Sequence, residues 1–212
     1  MRKLQSGDSV KFTAIVLAGG MSRRLGRDKA QEVIAGERMI DRIIRMLRSC
    51  ADEIIVVVSD KQRERDLRLP RNVNIATDIY PNTGSLGGIY SGLNAATNDW
   101  CFVAACDMPF LNHALINYLI SFTKGFDAVI PILEDRPEPL HAIYNKSCVP
   151  AIEKQIVAND LKIARFFPMK KVCFVEEEKI RMQDPELTSF LNINTQEDLD
   201  KIQYLVSKRQ YD

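Results

Sequence analysis

Short apolar runs alternate with amphipathic stretches along this chain, and that alternation limits the fold more than any other feature. Apolar runs occur at Phe12–Leu17, 54–58, 73–76, Trp100–Ala105, 128–132, 140–144 and Val172–Val175. The run 54–58 is unbroken Ile and Val, which predicts a strand buried on both faces, as in a parallel sheet. Between the runs, Met39, Ile40, Ile43, Ile44 and Leu47 recur at helical spacing, as do Leu115, Ile116, Leu119 and Ile120. Helices are expected at 39–47, 89–96 and 111–122. A last helix carries Leu199, Ile202, Leu205 and Val206, with Thr195 as its cap and Asp198 at its third position. The segment 61–71 is densely charged and reads as a solvated helix with its loop; Arg42, Arg45 and Arg48 also read as solvated charges. A loop is expected at 133–139 and an extended stretch at 190–194. The pattern predicts an α/β fold in three layers around a mainly parallel sheet. Residues 12–208 read as a single domain and 1–11 as a disordered lead-in.

In such sheets ligands bind beyond the carboxyl ends of the strands. The segment after the first run, L-A-G-G-M-S-R-R-L-G-R-D-K at 17–29, combines glycines with three arginines and a lysine. Glycine lets backbone N–H groups approach a phosphate, and the cations neutralise it. The segment has neither the Gly-x-Gly-x-x-Gly spacing of a dinucleotide fold nor the Gly-Lys-Ser/Thr ending of a P-loop. Arg24 and Lys29 are the expected phosphate ligands, and Asp28 either orients Lys29 or faces solvent. Ser59, Asp78 and Asp107 also follow strand ends and should share the rim. Asp107, braced by Pro109, suits Mg²⁺, which takes one or two carboxylates together with phosphate oxygens; the alternative is a helix cap. Asp78 could be a second carboxylate, an acceptor for a base or ribose, or a turn residue. The glycines at 84–88 would let a base or sugar lie against the backbone. His141 reads as a hydrogen-bonded structural residue rather than a catalyst. The combination points to phosphoryl or nucleotidyl transfer without a covalent enzyme intermediate.

Composition excludes several other classes. A net charge of +1 over 212 residues gives no electrostatic case for nucleic acid or membrane binding. No apolar run approaches the roughly 20 residues of a membrane span, and the first ten residues lack the apolar core of a signal peptide. The five cysteines form no C-x-x-C pair, and there are only two histidines. Neither a disulfide framework nor a zinc centre is suggested, and a cytoplasmic setting is expected.

The stretch 17–29 resembles the signature of nucleotidyltransferases with a Rossmann-like sheet. Its L-A-G-G and G-R-D-K forms look most like those of the molybdenum cofactor guanylyltransferase family. T-D at Asp78, G-S-L-G-G-I-Y-S-G-L at 84–93, C-D-M-P at 106–109, E-P-L-H-A-I-Y at 138–144 and N-I-N-T-Q-E-D-L at 192–199 support the likeness in the right order. The resemblance implies transfer of GMP from GTP to the molybdopterin-bound molybdenum cofactor, with release of pyrophosphate. It implies that Leu17, Ala18, Gly19 and Gly84 contact the nucleotide and Lys29 its phosphates. Asp78 would recognise the guanosine part, Ser59 would lie near the nucleotide, Asp107 would hold Mg²⁺, and Asn192 and Asn194 would hold the pterin. Transient contact with proteins that deliver the cofactor is implied as well. Family members often have Pro where Ser85 and Gln196 stand, and some have Asn where Ser59 stands. Ser85 bears on the choice of base, because its loop lines the base pocket. Two other readings are a cytidylyltransferase acting on the pterin or on a sugar or polyol phosphate, and a non-catalytic nucleotide-binding protein.

Overall fold

A computed structural model describes residues 10–19 and 28–209. The expected lead-in therefore lies outside the described residues up to position 9, and so does Arg24. Strand β1 is Phe12–Leu17; a two-strand hairpin follows, β2 Val33–Ile34 and β3 Glu37–Arg38, then helix α1 Met39–Leu47. Next come β4 Glu53–Val58, α2 Lys61–Leu67, β5 Asn74–Thr77, α3 Gly84–Ala95, β6 Trp100–Ala105 and α4 His113–Ile120. The remainder is β7 Ala128–Leu133, β8 Arg136–Pro137, β9 His141–Asn145, α5 Val149–Val157, β10 Val172–Val175, α6 Glu177–Arg181 and α7 Gln196–Arg209.

The main sheet has the order β10-β7-β9-β6-β1-β4-β5, with β8 folded onto β7. Strands β6, β1, β4 and β5 are parallel, with Ile15 opposite Ile55 and Val103. Strand β9 alone runs against its neighbours β6 and β7 along this path. The expected α/β fold with a mainly parallel sheet is what the chain forms.

Alternation along the strands builds two cores, because successive side chains point to opposite faces. Ala14 and Val16 of β1 and Val56 and Val58 of β4 pack with α1, α4 and α7. Ile15, Ile55, Val57 and Val103 face the other way, toward α3 and α5. Helix α1 buries Met39, Ile40, Ile43, Ile44 and Leu47, each fully or almost fully. Each such side chain contributes about 1.5–3 kcal/mol relative to exposure. Helix α3 lies unusually close to the sheet: a Cβ on Gly92 would stand 2.5 Å from Ile15 Cγ2.

Several local expectations are corrected. The glycines at 84–88 do not form an open loop; α3 already begins at Gly84, whose φ of 65° only glycine adopts without strain. The loop at 133–139 contains a hairpin, β7–β8, turned by Glu134 and Asp135 with φ of 47° and 60°. Helix α4 is shorter than 111–122 because Asn112 caps it, accepting from the N–H of Ala114 at 2.8 Å. Within 190–194, Phe190 closes a 3-10 turn, Thr188–Phe190, before the chain extends. Arg42 is not a solvated charge: its Nε donates to Pro109 O at 3.0 Å and its guanidinium lies 5.7 Å from the Phe110 ring centroid.

Candidate active site

Backbone hydrogen bonds continue the parallel ladder beyond the strands and so set the rim. Ala18 N–H donates to Val57 O (2.9 Å), Cys106 N–H to Leu17 O (3.1 Å), and Asp78 N–H to Val58 O (2.8 Å). The chain after β1, β4, β5 and β6 therefore leaves the sheet on one edge, which brings Leu17–Gly19, Ser59, Asp78 and Asp107 to the same side. The close fit here selects glycine. A Cβ on Gly19 would meet Ser59 N at 3.2 Å, and one on Gly88 would meet Leu17 Cδ2 at 3.1 Å.

Lys29 stands where three distant segments meet. It opens a 3-10 turn, Lys29–Gln31, that Asp28 caps by accepting from the Ala30 N–H at 3.1 Å. The Lys29 ammonium donates to Asp107 Oδ2 and to Asn194 Oδ1, both at 2.8 Å. Asp107 is held in place from two sides. Its carbonyl accepts from Ile193 N–H (3.2 Å), and two residues later Arg42 grips the Pro109 carbonyl. Asn194 is set by the start of α7. Asp198 accepts from the N–H groups of Asn194 and Thr195 (2.9 Å each), and Thr195 Oγ1 accepts from Asp198 N–H (3.1 Å). This reciprocal cap is the one expected from the sequence. The Asn194 N–H and Thr195 hydrogen bonds lower the Asp198 pKa. Asn192 lies two residues earlier, its amide donating to Phe190 O at 3.3 Å.

Asp78 is turned into its own loop. Its Oδ1 accepts from Tyr80 N–H (3.1 Å) and Ser91 Oγ (3.0 Å). Burial raises its pKa, and those two hydrogen bonds offset only part of the rise. Thr83 Oγ donates to Tyr80 O at 2.5 Å and packs the same turn against Gly87. On the far side, Glu153 Oε1 of α5 accepts from Tyr80 Oη (3.1 Å) and Tyr90 Oη (2.8 Å). Ser59 Oγ donates to Asp60 Oδ2 at 3.0 Å. A groove of about 610 Å³ runs beside Gly84, lined in part by Asn82, Ser85, Arg136 and Lys162.

The clearest departure from expectation is Arg63. Helix α2 was expected to be wholly solvated, yet Arg63 is 6% exposed and pairs through both terminal nitrogens with Asp28. Asp28 accordingly faces a guanidinium rather than solvent. Burial pushes its carboxyl up, but the Arg63 and Gln31 hydrogen bonds outweigh that and leave the pKa lowered. Arg63 and Leu67 are the two buried residues of α2, four apart on one face. That spacing was the available signal. His141 is likewise corrected. It is fully buried between Phe102 and Phe190, and among the described residues neither ring nitrogen has a hydrogen-bond partner. Burial depresses its pKa to about 3, against a smaller opposing pull from Asp184.

Residues 14–171 match the family model of the MobA-like NTP transferase domain. The molybdenum cofactor guanylyltransferase of Desulfosudis oleivorans is 37% identical over 191 residues, 89% of this chain and 93% of that protein. The chain belongs to the molybdenum cofactor guanylyltransferase family. A probable member from Methanosarcina mazei is 39% identical, covering 90% of this chain and 89% of that one. The crystal structure of molybdopterin-guanine dinucleotide biosynthesis protein A from Archaeoglobus fulgidus superposes with a TM-score of 0.83 at 31% identity, covering 92% of this chain and 99% of that one. Membership makes this chain a nucleotidyltransferase of molybdenum cofactor biosynthesis, as its motifs implied. Among the described residues no helix is long and apolar enough to cross a membrane.

Proposed function

We propose that the protein transfers GMP from GTP to the molybdopterin-bound molybdenum cofactor. The terminal phosphate of the pterin attacks the α-phosphorus of GTP, the bond to the β-phosphate breaks, and pyrophosphate leaves. The observation that carries this reading is the convergence of Lys29, Asp107 and Asn194. One ammonium is shared between a carboxylate at the end of β6 and an amide just before α7. A transfer between two phosphorylated ligands needs charge neutralisation on the line between them.

The assigned roles follow the strand ends. Leu17, Ala18, Gly19 and Gly84 contact the nucleotide, Ser59 lies beside it, and Lys29 binds its phosphates. Asp78, held by Tyr80 and Ser91, accepts from the guanosine. Asn192 and Asn194 hold the pterin end. Arg24, outside the described residues, is assigned to the phosphates by its place in the motif. The donor chemistry of the rim fits Mg²⁺. Asp107 Oδ2 and Asn194 Oδ1 are hard oxygens already directed at a cation, and Mg²⁺ favours one or two carboxylates with phosphate oxygens. Asp107 is its assigned ligand, and the ion would supply charge neutralisation on the phosphate oxygens. Residues 12–208 are taken to act as one domain, in the cytoplasm.

The test is a panel of GTP, CTP, ATP and UTP with Mg²⁺ and the molybdopterin-bound cofactor, following pyrophosphate release. GTP should turn over far faster than the others. Use of CTP with GTP ignored would replace guanylyl by cytidylyl transfer, and no turnover with any nucleotide would sink the catalytic reading.

A further inference from the structure

We propose that Arg63 is a positioning residue for the transfer: its guanidinium fixes the strand end at Ala18 and the turn at Asp28 in one rigid frame, and so sets the reach from the nucleotide-contacting residues to Lys29. The proposal rests on the roles given above to Leu17–Gly19 and Lys29.

Three faces of one planar group are in use. Arg63 Nε donates to Ala18 O at 2.9 Å. One terminal nitrogen donates to Asp28 Oδ1 at 2.6 Å, and the other pairs with Oδ2. These partners lie 45 and 35 residues away in sequence. One flank is therefore the residue between Leu17 and Gly19, and the other is the residue next to Lys29. Asp28 in turn caps the turn that begins with Lys29, so a shift of its carboxylate moves the ammonium.

Packing alone does not account for this arrangement. Helix α2 is already anchored by the fully buried Leu67 and by Asp60, whose Oδ1 accepts from Arg63 N–H at 2.8 Å. The guanidinium makes no described hydrogen bond within the helix; all its described hydrogen bonds go to the two flanks of the signature segment. A buried arginine with an incomplete set of partners would be costly, and here the set is a carboxylate fork plus a carbonyl. Lysine, a point charge, cannot reproduce the planar three-donor geometry.

The test compares Arg63→Lys, Arg63→Ala, Asp28→Asn and the Arg63→Ala/Asp28→Asn pair. Displacing a charged group by about 1 Å costs about 10²-fold in rate. Arg63→Lys and Arg63→Ala should each lose roughly that much in kcat, with the KM for GTP changed by less than about threefold. The double variant should be no worse than Arg63→Ala alone, because Asp28→Asn removes only a contact that Arg63→Ala has already broken. Guanidinium ions should restore turnover to Arg63→Ala and not to Asp28→Asn. A kcat within twofold of wild type in Arg63→Lys, or additive losses in the double variant, would overturn the proposal. Should Arg63→Ala fail to fold, Arg63→Lys, which keeps charge and stem, decides the matter. The control is wild-type turnover of GTP, whose absence defeats the guanylyl reading and not the clasp. In that case the clasp is judged by exchange protection of the Ala30 and Gln31 amides, which Arg63→Lys should lower roughly tenfold. Unchanged protection would refute it.

Discussion

Replacing Gly87 by alanine separates the demands of helix α3 from those of the site. In an ordinary helix this change stabilises by about 1 kcal/mol, because alanine loses less conformational freedom. Here the new Cβ would lie 2.0 Å from Thr83 Oγ1, 2.9 Å from Tyr80 O and 3.1 Å from Asp78 Oδ1. Thr83 must rotate away and give up its hydrogen bond to Tyr80 O, at a cost of about 1 kcal/mol. The Tyr80 carbonyl is backbone and must itself move, and overpacking of this kind costs about 1–3 kcal/mol. The net loss is about 1–3 kcal/mol, or a fall in Tm of about 2–12 °C for a chain of this size. Because the displaced atoms carry Asp78, the KM for GTP should rise about tenfold while kcat changes less. Thermal melting and steady-state pyrophosphate release read the two effects. Gly92→Ala is the control: its Cβ meets Ile15 Cγ2 inside the core, so it should lower Tm and leave KM alone. A Gly87→Ala protein with raised Tm and unaltered KM would refute both the packing argument and the placement of Asp78.

Asp107→Asn keeps the shape of the side chain and removes its charge. It should lower kcat by at least about 10²-fold and shift the Mg²⁺ titration to higher concentration; an unchanged titration would remove Asp107 as the metal ligand. Lys29→Ala should raise the KM of both GTP and the pterin acceptor and cut kcat by about 10²- to 10³-fold, whereas an effect on one substrate alone would place Lys29 on that side only. His141 gives a pH signature. Its folded pKa of about 3 lies below the unfolded value near 6.5, so the unfolded state binds more protons between those limits and stability falls as pH drops through that window. His141→Phe should flatten this fall by up to about 1.4 kcal/mol per pH unit, and an unchanged slope in urea melts at pH 4 to 6.5 would show that His141 does not titrate on unfolding.

The strands and the first helix were legible because their signals are local. The Ile and Val run in β4 and the spacing of Met39, Ile40, Ile43, Ile44 and Leu47 leave few alternatives. The strand ends follow from parallel pairing, which by itself puts Ser59, Asp78 and Asp107 on one edge. Charge partners were not legible. K-Q-R-E-R-D at 61–66 offers two arginines of equal chemistry, and the cue that α2 turns Arg63 inward and Arg65 outward is Leu67, four residues after Arg63, which does not name the partner. Arg42 was misread for the same reason, since its partner at Pro109 is 67 residues away. The glycines at 84–88, read as a loop, misled in another way. Glycine usually interrupts a helix, but here Gly88 and Gly92 let the helix press against Leu17 and Ile15, a demand of packing that composition does not reveal.

In the proposed reaction Lys29 marks the seam between two anionic ligands. Asp107 reaches it from the end of β6, beside the strand end assigned to the nucleotide, and Asn194 reaches it from the segment assigned to the pterin. The two neighbours differ in charge, and that difference matters. A carboxylate on the nucleotide side can take up a divalent cation, whereas a second carboxylate at position 194 would repel the incoming terminal phosphate of the acceptor. The neutral amide accepts from Lys29 without adding that repulsion, and it still offers N–H donors to a phosphate. An ammonium on a flexible stem can then follow the developing charge from one side to the other, which a rigid guanidinium at the same position could do less freely. In the proposed reaction the two cationic side chains thus divide the work by shape: Arg63, buried and planar, would hold the frame, and Lys29, at its edge, would meet the phosphates.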